Sequence, residues 1–236
     1  MLYLTRPGNW PTHPPLYKYR AECYNVVMSE FITISGESAG EIEEKKSRFI
    51  AALVPCTSED EAVTFIESVR KKNRDARHNC YAYGIGEKGE TVKCSDDGEP
   101  QKTAGQPILS VIQGAGLTNV CLVVTRYFGG TLLGTGGLLR AYSDSAKAAV
   151  DNAKKVKKIL GILLSISTEY SDMGTIQYIL NSENITIRDT EYTDEVVFTT
   201  EVESSKYEQL SKKLIDATGA RVKLGKMKDM LISVEI

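Results

Sequence analysis

Histidine is nearly absent from this chain. Only His13 and His78 occur, and the five cysteines, Cys23, Cys56, Cys80, Cys94 and Cys121, form no CxxC pair. A zinc site needs four closely spaced nitrogen or sulfur ligands, and no such set is visible, so no metal and no cofactor are expected. The odd cysteine count and the lack of a basic-then-apolar secretory leader point to reduced thiols and a cytoplasmic protein. No apolar stretch approaches the roughly 18 residues that cross a membrane, so no membrane partner is expected. A Walker-type phosphate loop is missing too. The net charge of −2 removes the bulk cation excess of a strongly basic nucleic-acid binder. It leaves only a local patch as a route to such binding.

What is present is ordinary for globular protein: 42% apolar and 25% charged residues. A length of 236 residues exceeds the usual single domain and predicts two. Residues 1–27 differ from the rest. They hold Pro7, Pro11, Pro14, Pro15, the only tryptophan (Trp10) and no periodicity, which argues against helix or central strand. They read as a leader, either an upstream extension of a product that starts at Met28 or a flexible arm.

Regular patterning begins at Phe31. Residues 31–35 alternate as a strand, 41–46 read as a charged connection, and 47–55 as a second strand. Ser58 and Glu61 form a capping box for a helix with Ala62, Phe65, Ile66 and Val69 as its apolar stripe. Its last turn carries Arg70, Lys71 and Lys72, as the helix dipole favours. Strands follow at 80–85 and 90–94, joined by a Glu87-Lys88-Gly89 hairpin. Ser95 to Pro100 is a compact acidic turn, and a helix runs from Thr103 through Ile112. Val120 to Val124 is a further strand. A glycine-dense loop and a helix from Leu138 to about Val156 follow it, ended by the lysines at 154–158. The domain boundary is placed there, giving domains 28–158 and 159–236. Beyond it lie strand 161–168, helix 172–181, strands 184–190 and 195–203, helix 205–218 and strand 231–236. The order βαββαβ is the ferredoxin-like split unit. Residues 31–158 hold 18 Lys and Arg against 16 Asp and Glu, and 159–236 hold 8 against 13. The first domain is therefore the better place to seek a polyanion.

Three segments concentrate polar chemistry. The glycine loop carries Gly129, Gly130, Gly134, Gly136 and Gly137 between Arg126 and Arg140. Strand, glycine loop, helix is a layout in which backbone N–H groups face an anion. The same glycines serve equally as tight turns and close helix–sheet contacts. The acidic turn offers Asp96, Asp97 and Glu99 as a polar cluster. They can hold a magnesium ion beside a phosphate or bond their own backbone. In Arg77-His78-Asn79-Cys80, His78 and Cys80 share a strand face, but strand rise sets them too far apart for a nucleophile–base pair.

ARHNCYAY (76–83), SDDGEPQKTAGQPIL (95–109) and RYFGGTLLGTGGLLRAY (126–142) resemble the hallmarks of the IMPACT family, YigZ-like proteins in bacteria. The resemblance covers about residue 29 to the C-terminus. Two positions depart from the pattern: Lys102 stands where Gly is usual, and Asp144 where a small residue is common. Lys102 also adds a cation near the suspected anion site. The resemblance implies an α+β protein of two domains. The first would be like a ribosomal small-subunit domain that GHMP kinases share, the second like the last domain of elongation factor G. It further implies translation regulation and stress response, through RNA, the ribosome or a translation-related protein. It transfers no catalytic residue. An anion or nucleic-acid site, if built here, would use His78, Lys102, Arg126, Arg140 and the Gly129–Gly137 backbone. Two other readings stand beside it: an enzyme acting on a phosphorylated or nucleotide-like small molecule, and a protein-interaction adaptor.

Overall fold

A computed structural model describes residues 30–236. The expected leader at 1–27 lies outside them. The chain begins with β1 (Phe31–Ile34), β2 (Ser38–Glu44) and β3 (Ser47–Pro55). Helix α1 (Glu59–Lys72), β4 (His78–Ile85), β5 (Thr91–Ser95) and α2 (Gly105–Gly114) follow. Then come β6 (Val120–Tyr127) and α3 (Gly134–Asp151).

The first sheet has the order β2-β3-β6-β4-β5, each neighbour antiparallel. Its centre is β6, buried from Val120 to Arg126. Cys121 and Val123 pack with Ala62, Ile66 and Val69 of α1 on one face. Leu122 and Val124 pack with Ile108 of α2 and with Tyr142 and Ala146 of α3 on the other. A strand covered on both faces is apolar at every position, which is why this run does not alternate. Each fully buried side chain there contributes about 1.5–3 kcal/mol.

The α1 cap is as expected at Ser58, whose Oγ accepts from Glu61 N at 3.2 Å. The reciprocal arm differs. Glu61 Oε2 accepts from Thr57 N at 2.6 Å, one residue further out than the usual box.

Three expectations are corrected. The charged stretch 41–46 is no loose connection: Glu41 to Glu44 belong to β2, and Lys45 and Lys46 form its two-residue hairpin turn. Both lysines have positive φ, +47° and +67°, a turn normally filled by Asn-Gly, so the residue types hid it. The glycine-loop helix starts at Gly134 rather than Leu138 and ends at Asp151 rather than Val156. Of the lysines after it, Lys155, Lys157 and Lys158 lie in a strand, β7 (Lys155–Thr168).

After β7 come α4 (Met173–Ser182), β8 (Ile187–Tyr192), β9 (Val196–Glu203), α5 (Tyr207–Ala217) and β10 (Lys223–Glu235). The order βαββαβ holds. The sheet runs β10-β7-β9-β8, fully antiparallel, with α4 and α5 on one face over Leu164, Ile166, Phe198 and Val202. Strand β1 belongs to this second sheet: Phe31 to Ile34 pair with Lys158 to Lys155. Yet Ile34 packs into the first core, and Ile32 O accepts from Thr118 N at 3.0 Å. The protein is α+β, with two antiparallel sheets stitched by β1 and β7.

Candidate strand-end cleft

Strand register assembles the polar segments. His78 of β4 and Phe49 of β3 both lie opposite Arg126 of β6. Arg126 is only 7% exposed. Its Nη1 donates to Glu99 Oε1 at 2.6 Å, and the Tyr142 hydroxyl donates to the same oxygen at 2.9 Å. The guanidinium carbon lies 5.5 Å from the ring centres of both Phe49 and Phe128. Phe49 in turn meets Tyr142 edge-on at 5.1 Å. Burial pushes the Tyr142 hydroxyl far above the ordinary phenol range, and the neighbouring Cys80 and Glu99 add to it. It stays a neutral donor. Arg126 is one of the candidate anion-binding residues of the sequence, but its cation is already matched by a carboxylate. Its charge is buried and paired, and it fixes β6 to the acidic turn.

The acidic turn spends its carboxylates on the protein itself. Asp96 Oδ1 accepts from Ala104 N and Gly105 N at 3.0 and 2.9 Å, and Oδ2 from Lys102 N at 2.8 Å. Burial alone would raise the Asp96 pKa, but these three backbone donors outweigh it and hold the carboxyl below its usual range. Asp97 pairs with Arg70 of α1 at 2.8 Å and accepts from Asn79 N at 2.7 Å. Among the described residues no His, Cys, Asp and Glu group has metal-site geometry. Lys102 has φ +62°. That conformation favours glycine, the residue the resemblance leads one to expect there.

His78 Nδ1 lies 2.9 Å from Asp97 O. A carbonyl only accepts, so Nδ1 carries the proton and Nε2 is the nitrogen left to a ligand. Cys80 Sγ donates to Asp96 O at 3.0 Å, and burial pushes its thiol far up. A thiol so held is no nucleophile. His78 and Cys80 thus serve separate carbonyls of the turn.

Of the predicted site residues, His78 and Arg126 line one cleft, and Gly134, Gly136, Gly137 and Arg140 line another. The first, of about 620 Å³, lies at the ends of β4 and β6 and is lined by Asp75, Arg77, His78, Arg126, Tyr127 and Phe128. The second, of about 540 Å³, is lined by Lys45, Gly134, Gly136, Gly137, Arg140 and Asp144, among others. Lys102 lines neither. Gly129 is a packing residue, since a Cβ there would lie 2.1 Å from the Lys46 carbonyl carbon. Gly130 and Gly134 take positive φ on either side of the loop tip.

Sequence reasoning missed Phe128, which is 55% exposed at the mouth of the first cleft. The available signal was an aromatic between two arginine-bearing elements at the end of an otherwise buried strand. Arg77, exposed at the entry to β4, has no hydrogen-bond or ion-pair partner among the described residues.

Comparison with known proteins fits this layout. A family model described as the Impact N-terminal domain matches residues 45–150. A second, described as a domain of unknown function, DUF1949, matches residues 166–221. The chain is 36% identical over 195 residues to the IMPACT family member YvyE of Bacillus subtilis, covering 83% of this chain and 90% of that protein. It is 35% identical over 184 residues to the family member YigZ of Escherichia coli, covering 77% and 90%. Protein IMPACT of Homo sapiens is 38% identical over 98 residues, 39% of this chain and 30% of that protein. A solved structure described as a hypothetical protein is similar at a TM-score of 0.54 and 31% identity, covering 85% of this chain and 98% of its own. With both of its halves matched and most of two bacterial members covered, the chain belongs to the IMPACT family.

Proposed function

We propose that this protein is a cytoplasmic, translation-associated binding protein that contacts RNA through the strand-end cleft of its first sheet. The observation that carries the reading is Arg77. It is an exposed cation without a partner among the described residues, beside the half-exposed ring of Phe128 and the ring of His78 in one cleft. A cation flanked by an aromatic at a concave surface suits a phosphate and its base. The part of the chain that carries the cleft is also the part with the positive balance. Family membership supports a translational setting.

Photo-crosslinking of thiouridine-substituted RNA to the full chain, mapped by mass spectrometry, tests the proposal. Adducts are expected within 75–78 and 126–132. Adducts confined to residues 159–236 would contradict it.

The second cleft favours another reading. The first turn of α3 has no side-chain cap and no acidic residue, and Arg140 stands beside it. These groups suit a phosphorylated or nucleotide-like small molecule rather than a polymer.

A further inference from the structure

The cleft has a feature that phosphate binding does not require. Phe128 follows directly on a strand buried from Val120 to Arg126, yet it stands 55% exposed. A phenyl ring left largely in water forgoes the free energy of burying it. Its neighbour Leu132, on the same loop and lining the same cleft, is 84% exposed. The inner side of this arrangement is rigid. Phe128 rests on the Arg126 guanidinium, 5.5 Å from the ring centre, and that guanidinium also touches Phe49 and is fixed by Glu99. Tyr142 steadies both Phe49 and Glu99. The result is a chain of contacts running from the core to the surface, with Phe128 as its outermost member.

We infer that Phe128 is a stacking platform for one unpaired base, so that the cleft takes single-stranded RNA and not duplex. This rests on the reading of the cleft as an RNA contact and names the form of RNA it takes. A base stacks on an aromatic face only when its own neighbours leave that face open, which a duplex interior never does. The platform is preorganised, so little side-chain freedom is lost on binding. Arg77 at the cleft wall receives the adjoining phosphate. Asp75, an exposed carboxylate that also lines the cleft, repels phosphate and leaves the anionic backbone the Arg77 side. Stacking on any base face is tolerant of sequence, so the selectivity is for strandedness.

The test compares one RNA strand of about 12 nucleotides, a length within the range a single binding module covers, alone and annealed to its complement. It is titrated against the full chain and the variants F128A, F128L, F128Y and R77E. F128A and F128L are expected to weaken single-strand binding about ten-fold. F128Y keeps it, and the duplex binds more weakly than the strand. Trp10 is the only tryptophan, so the indole introduced by F128W in a W10F background reports on this position alone. The single strand is expected to quench it, and the duplex to leave it unchanged. If all Phe128 variants bind like wild type while R77E weakens binding, stacking is overturned and the cleft reading stands. Duplex bound as tightly as the strand overturns the inference as well. Wild type that binds neither form overturns both.

Discussion

Arg126 and Glu99 form a salt bridge with side chains 8% and 4% exposed. In so dry a site the charges cost much to desolvate, and their mutual attraction is what offsets that cost. Removing one partner strands the other. Arg126→Ala or Glu99→Ala is therefore expected to lower stability by about 3–5 kcal/mol. The double variant should cost clearly less than the two losses added together. Denaturant titration of the four proteins checks this, and costs that add to within about 0.5 kcal/mol would contradict a coupled pair. It follows that Arg126→Ala is a poor probe of ligand binding, whereas exposed Arg77 is a clean one. Both charged residues were visible in the sequence, as members of two dense motifs. Their pairing was not, because they stand 27 residues apart and meet only through the register of β6. Phe128 was hidden for a different reason. Its residue type says core, and only its position past the end of the sheet leaves it in water.

At the scale of elements, Asp96 secures the start of α2. That helix has no side-chain cap at Ala104, and the Asp96 carboxylate takes Ala104 N and Gly105 N from outside the helix. The folded pKa of Asp96 is depressed. The stability it adds is thus full above its unfolded value, about 3.9. It drains away as the pH falls through the lower folded value. Asp96→Asn should cost about 1–2 kcal/mol at neutral pH, and its deficit against wild type should shrink on acidification below about pH 4. Melts across that window decide the matter, and a deficit constant with pH would exclude the carboxylate as the source. Element types were largely legible from periodicity, from the Ser58 cap to the βαββαβ order. Boundaries failed where glycine or lysine obscured them. Low helix propensity concealed that α3 begins within Gly134-Thr135-Gly136-Gly137. Its start is set by burial of Leu138, Ala141 and Tyr142 against the sheet. Charge concealed the start of β7, whose first residues pair with β1 and β10.

Across the whole molecule, the two sheets are not strung like beads. The expected boundary between 158 and 159 falls inside β7, and β1 reaches from the first core into the second sheet. A cut at that point severs a strand, so each half is best probed by surface substitution in the full chain. No helix among the described residues is long and apolar enough to cross a membrane. The motifs all lie within residues 45–150, the part that matches the Impact N-terminal domain. Read as one site in the sequence, their residues line two clefts in the fold, His78 and Arg126 the first and Arg140 the second. That separation allows the strand-end cleft to be tested as the RNA contact. RNA affinity is measured over a series of salt concentrations for wild type, Arg77→Glu and Arg140→Glu. The strand-end cleft predicts that Arg77→Glu weakens binding several-fold and flattens the salt slope by about 0.7–1, while Arg140→Glu matches wild type. Loss of affinity confined to Arg140→Glu, with Arg77→Glu binding as wild type does, would contradict it.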